Sequence, residues 1–200
     1  MKENDRVSTD ELLAAARQVF SDEGFGVSTG TIARYARVRE STLNDRFLSK
    51  GELFLAAMAP ASQDVEAKIR ALDPDGDLLA QLEDVSLQLF DFFRELAPVL
   101  FVLATDLDFD YEETLRRYPA LPHIRLQKLL KEFLQTHHTV RQSDLPSLDT
   151  AVLNLFSLLH SMAFFEALGA HGGSCPEEII REQAGFLVGG LLSHQSRVKP

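Results

Sequence analysis

Apolar residues recur at helical rather than strand spacing along almost the whole chain. The pattern predicts helices at roughly 9–23, 29–36, 40–47, 50–71, 77–96, 98–108, 121–139, 147–169 and 176–194. Ser8 with Glu11, Ser49 with Glu52, and Ser174 with Glu177 stand at capping-box spacing before apolar-periodic runs. In each, the hydroxyl satisfies an orphan amide while the acid suits the positive end of the helix dipole. Gly24 reads as the stop of the first helix and Pro60 as a kink in the fourth, since proline removes a donor and crowds the preceding turn. Asp73-Pro74-Asp75-Gly76 is a turn that closes that fourth helix. The expected architecture is all-α, with a small domain over 1–58 and a larger one over 59–200.

Between Ser28 and Lys50 the apolar positions change period in an informative way. Ile32, Ala33 and Ala36 make one stripe, Val38 sits in a turn, and Leu43 and Phe47 make a second stripe four residues apart. Two short helices joined by a tight turn suit a helix-turn-helix, whose second helix lies in the DNA major groove. Charge strengthens this. Arg34, Arg37, Arg39, Arg46 and Lys50 face only Glu40 and Asp45, a local +3 on a chain of net charge −10. A basic island on an acidic protein is an electrostatic footprint for phosphate.

These residues also resemble a known family. The opening helix Leu12–Phe25, then Thr29–Ala36, Val38–Leu43 and Phe47–Leu53 are similar in order and spacing to the N-terminal domain of TetR/AcrR bacterial transcriptional regulators. The resemblance implies an N-terminal three-helix DNA-binding domain and a C-terminal helical domain for ligand binding and dimerisation. It implies DNA contacts from Thr29, Thr31, Arg39, Glu40, Ser41, Thr42, Asn44, Asp45 and Lys50. Arg39 is the candidate for gripping a guanine edge, and Lys50 resembles the family's phosphate-contacting lysine. The chain departs from the family at Arg37, where glycine is usual, and at Asn44 and Arg46, where aromatics are usual.

Residues 59–200 carry 12 basic and 21 acidic side chains, which excludes them as a DNA-binding surface. Their helices are rich in Phe90, Phe93, Phe101, Phe133, Phe156 and Phe164, with Asp106 and His160 on apolar stretches. By the resemblance these residues line a cavity for an apolar small-molecule effector. The plain alternative is that the phenylalanines fill ordinary core, and that Asp106 and His160 make structural hydrogen bonds or dimer contacts. Ala163, Ala167, Gly185, Gly189 and Gly190 are the candidates for a close two-fold helix interface. Glycine costs a helix about 0.8–1 kcal/mol relative to alanine, so those in the last helix ask for a packing reason.

No run of 18 or more apolar residues occurs and the N-terminus lacks the apolar core of a signal peptide. The single cysteine, Cys175, fits a reducing cytoplasm, the expected location. Asp106, Asp108 and Asp110 begin like a calcium loop, but Tyr111 and Arg117 stand where glycine and the closing acid belong. His137, His138, His160 and His171 lack zinc spacing. No phosphate-binding loop, dinucleotide fingerprint or nucleophile elbow is present, so no catalytic residue, metal or cofactor is expected. The sequence therefore points to a homodimeric, ligand-responsive repressor that binds a palindromic operator. The alternative is a dimeric helical protein with a degraded helix-turn-helix, binding a small molecule or a protein instead.

Overall fold

The computed structural model describes residues 7–117, 121–140, 146–170 and 172–195; His171 lies outside them. Among the described residues there are ten helices and no strand. They are α1 (Thr9–Glu23), α2 (Thr29–Tyr35), α3 (Glu40–Arg46), α4 (Lys50–Met58), α5 (Gln63–Arg70), α6 (Leu78–Ala104), α7 (Tyr111–Arg117), α8 (Pro122–Thr136), α9 (Pro146–Ala167) and α10 (Glu177–Gln195). The chain forms two compact units. The first takes in residues 1–59 with 98–117, and the second 60–97 with 118–200.

In the first unit, α1 starts on the expected capping box. Ser8 Oγ accepts from the Glu11 amide at 3.1 Å, and the Glu11 carboxylate accepts from the Ser8 amide at 2.8 Å. Those bonds hold the Glu11 carboxyl below its usual range. Leu12, Ala16, Val19 and Phe20 form the buried stripe of α1, and Gly24 ends it at φ 75°, where its amide donates to the Phe20 carbonyl. Positive φ is nearly strain-free only for glycine. The Phe20 and Phe25 rings meet Phe54 of α4 edge to face at 4.9 and 5.0 Å, the geometry that ring quadrupoles favour.

The two prolines behave differently from expectation. Pro60 breaks the fourth helix instead of kinking it, so 50–71 is α4 and α5. Ala59 takes an extended ψ of 140°, as a residue before proline prefers. Pro98 was expected to separate two helices, yet it lies inside the 27-residue α6. Leu96, Ala97, Val99 and Leu103 are buried on both sides of it. Four buried side chains outweigh a cost of about 3 kcal/mol for an internal proline. A helix not expected at all, α7, is capped by Asp110, whose carboxylate accepts from the Glu113 amide at 2.9 Å. Another correction concerns α10. It begins at Glu177, which leaves Ser174 too early to cap it, and the Cys175 amide is taken by the Glu166 carboxylate at 2.7 Å.

In the second unit, α8 packs on α5 and on α9, and α9 packs on α10. Leu148, Val152, Leu155, Phe156, Leu159 and Ala163 bury one face of α9 at helical spacing. Leu148–Ala167 is long and apolar enough to cross a membrane by length and composition, but this packing makes it a core helix. Polar bonds fix the neighbours. Arg125 of α8 reaches Glu66 and Ser62 at the start of α5. The buried His137 ring bonds to the Gly76 carbonyl at 3.1 Å, tying the end of α8 to the 73–76 turn. In that turn the Gly76 amide donates to the Asp73 carbonyl.

Candidate nucleic-acid interface

The helix-turn-helix is held from inside by Ile32, Ala33, Val38, Leu43 and Phe47, all buried. Ser28 caps α2, its hydroxyl accepting from the Thr31 amide at 3.1 Å. The turn is closed by the Val38 amide donating to the Ala33 carbonyl at 2.9 Å. Arg37 sits in this turn at φ 57°, the only non-glycine residue with positive φ among those described. A side chain there costs on the order of 1 kcal/mol relative to glycine. Arg37→Gly is therefore expected to raise stability by up to about 1 kcal/mol, read as a shift in the thermal midpoint. An unchanged or lower midpoint would mean that the arginine side chain has compensating contacts.

With Leu43 turned inward, α3 presents Glu40, Ser41, Asn44 and Asp45 to solvent, and Arg39 is exposed at its start without a side-chain capping bond. Thr42 is half-buried. The two α2 threonines are engaged within the motif. Thr29 donates to the Glu40 carboxylate, and Thr31 Oγ1 lies 3.1 Å from Ser28 Oγ while accepting from Arg34 at 3.3 Å. A Cβ at Gly30 would sit 3.4 Å from the Glu40 carboxylate, an ordinary van der Waals contact, so this closeness does not depend on glycine. The Lys50 ammonium stands 4.3 Å from the centre of the Phe25 ring, a cation–π seat at the first turn of α4.

Two features escaped the sequence pattern. Arg46, counted in the basic island, turns away from solvent and donates to the Val7 carbonyl at 2.8 Å. Its partner lies 39 residues away, so no local spacing betrays it. Tyr35 is 57% exposed beside Arg34 and Arg37. Its position off the Ile32–Ala33–Ala36 stripe was the available signal.

The other candidate residues separate into groups. Phe90, Phe93, Phe133 and Phe156 are buried in the second unit, with His160 and Phe164 half-buried there. Phe93 brings three of them together: its ring lies 5.7 Å from Phe156 and 5.3 Å from His160. His160 Nε2 is buried with no hydrogen-bond partner among the described residues, and burial pushes its pKa down. His123 is likewise lowered, by burial first and then by the charge of His160. Phe101 and Asp106 belong instead to the first unit. Asp106 is not on an apolar helix; it follows the end of α6 and accepts from the Asp108 amide at 3.3 Å, a local turn bond.

Of the small residues proposed for a two-fold interface, Ala163 is fully buried within the protomer, whereas Ala167, Gly189 and Gly190 are exposed. A Cβ added at Gly185, Gly189 or Gly190 would meet nothing within 4 Å. Among the described residues, then, no close packing accounts for the missing side chains. α9 exposes Leu153, Leu158 and Phe165, with Leu168 just after its end, and α10 exposes Ile179 and Phe186, the last at 72%.

The family model for bacterial regulatory proteins of the tetR family matches residues 12–57, the span built from α1 through most of α4. Solved structures share the whole fold. A putative TetR-family transcriptional regulator from Mesorhizobium loti MAFF303099 is 18% identical, with a TM-score of 0.66 over 96% of this chain and 98% of that one. Thermus thermophilus FadR, a TetR-family repressor solved with lauroyl-CoA, is 19% identical, with a TM-score of 0.66 over 92% of each chain. Bacillus subtilis FadR, solved with stearoyl-CoA, is 13% identical, with a TM-score of 0.56 over 94% of this chain and 99% of that one. No curated protein matches the chain in sequence. The matched span contains the whole helix-turn-helix, α2 and α3 with the turn between them. Over residues 12–57 the chain is similar to the TetR family, and the solved structures extend that likeness in fold to the rest of the chain.

Proposed function

We propose that the protein is a homodimeric repressor that binds a palindromic operator and releases it when an apolar effector occupies the second unit. The observation that carries the DNA reading is the division of α3 between a buried Leu43 and an exposed row of Arg39, Ser41 and Asn44. Such a row reaches base edges when a recognition helix enters the major groove. Thr29, Thr31 and Lys50 are the phosphate-side candidates, with Arg34, Tyr35 and Arg37 beside them. The apolar faces of α9 and α10, with Ala167, Gly189 and Gly190 among them, support a two-fold pairing through those helices. Two-fold pairing presents two recognition helices to half-sites about one helical turn apart.

The Phe93–Phe156–His160 cluster is the reading's effector site. Acyl-CoA thioesters are the first effectors to test, because two regulators of this fold were solved with them. Release requires the effector to bind one spacing of the recognition helices better than the other. Isothermal titration with lauroyl-CoA, repeated on Phe93→Ala, tests the site. Saturable binding weakened by the substitution supports it, and equal binding by both proteins counts against it.

Glu40 brings a negative charge to the phosphate-facing surface and occupies the Thr29 hydroxyl. Glu40→Gln is therefore expected to raise DNA affinity about fivefold at low ionic strength, where charge is least screened. A loss of affinity, greatest for sites with cytosine in the half-site, would instead make Glu40 a base-reading residue.

A further inference from the structure

We propose that Arg117 of α7 positions the recognition helix, by capping the last carbonyl of α3 and neutralising the buried carboxylate of Glu52 at the same time. Its Nη2 donates to the Arg46 carbonyl at 3.2 Å, and its Nη1 lies 3.9 Å from Glu52 Oε2. The proposal rests on the reading that α3 is the DNA-contacting helix.

α3 has seven residues and no side-chain bond at its N-cap. A helix this short holds its shape only through its neighbours, and its last carbonyls have no partner inside the helix. A guanidinium at that end satisfies a carbonyl and suits the negative pole of the dipole. Arg46 cannot supply it, because its own side chain is spent on Val7. The cap therefore comes from 71 residues away.

Glu52 makes the same arginine necessary from the other side. Its side chain is 3% exposed, and one oxygen accepts from the Leu48 amide at 2.6 Å. Glu52 Oε1 and Arg46 Nη1 are both buried without hydrogen-bond partners among the described residues. A buried carboxylate this poorly bonded depends on the Arg117 guanidinium beside it. A second contact holds the same elements. A Cβ at Gly51 would lie 2.7 Å from Phe109 and 2.9 Å from Asp106, so only glycine lets the 105–110 segment approach the first turn of α4 this closely.

The test uses the full-length protein and a duplex that the wild type selects from a random pool. Hydrogen exchange of amides 40–47 without DNA, DNA affinity and its salt slope are compared for wild type, Arg117→Ala and Arg117→Lys. In Arg117→Ala, exchange over 40–47 should quicken about tenfold while α9 is unchanged, with affinity down about tenfold and the salt slope preserved. Arg117→Lys, which cannot span both acceptors as a planar fork, should fall between. Unchanged exchange over 40–47 overturns the proposal. So does a shallower salt slope, which would make Arg117 a phosphate contact. Should Arg117→Ala fail to fold, Arg117→Gln is read by the same criteria. Faster exchange in a protein whose wild type selects no duplex would leave the positioning role intact and defeat the DNA reading instead.

Discussion

Phe186→Arg is expected to turn the proposed dimer into a monomer and to remove most operator binding. Phe186 is the most exposed phenylalanine among the described residues, and it shares the outward face of α10 with Ile179, Gly189 and Gly190. Buried aromatic anchors near an interface centre contribute about 2–4 kcal/mol when truncated. A two-fold axis doubles the damage, since the substitution occurs on both chains and places like charges near one another. Sedimentation at micromolar concentration should show a single chain. The helical signal should persist, because this side chain is 72% exposed. Operator affinity should fall by at least about a hundredfold, as one half-site alone is engaged. A variant that stays dimeric would move the interface away from α10.

Arg39→Ala should produce the second large effect, and its form is as diagnostic as its size. A bidentate arginine–guanine pair contributes about 1–3 kcal/mol of discrimination, and a dimer uses two. Affinity should therefore drop roughly 30-fold or more, with preference relaxed at one position in each half-site. Lys50→Ala should act differently. It should weaken binding to all sequences alike and reduce the salt slope by about two, one phosphate contact from each chain. The two signatures are compared on the same duplexes by titration at several salt concentrations. If Arg39→Ala behaves as Lys50→Ala is expected to, Arg39 is a phosphate contact. If neither matters, α3 does not read this DNA.

Much of this was legible because it is local. The Ser8–Glu11 box, the Gly24 stop and the Ile32, Leu43 and Phe47 stripes depend on spacings of three or four residues, and the structure contains them. What was not legible depends on partners distant in sequence. Pro60 and Pro98 are chemically identical and both are flanked by buried side chains, yet one breaks a helix and the other rides within it, a difference that no local spacing announces. Arg46 read as a surface cation until its acceptor proved to be Val7. Asp106 read as a polar intrusion in an apolar helix, but it belongs to a turn beside Gly51. α7 did carry local signals that were not used. Asp110 stands at capping position, Glu112 and Glu113 occupy the first turn, and Arg116 and Arg117 the last, as the dipole favours.

The arrangement of charge follows the same logic. A chain of net −10 can bind a polyanion only by concentrating its cations, and Arg34, Arg37, Arg39 and Lys50 lie within one short motif. In the proposed function Glu40 and Asp45 temper that patch, and pairing of two chains makes up for a weak half-site. The same proposal expects ready release, since a modest change in the spacing of two helices forfeits one of the half-sites.

The claim beneath all of this is that a symmetric pair of α3 helices reads duplex DNA. Selection from a random duplex pool at low salt, followed by footprinting, tests it most directly. The account predicts recovery of an inverted repeat with half-site centres about one helical turn apart, protected at both halves. Recovery of no duplex at all, or of sites without two-fold symmetry, would contradict it.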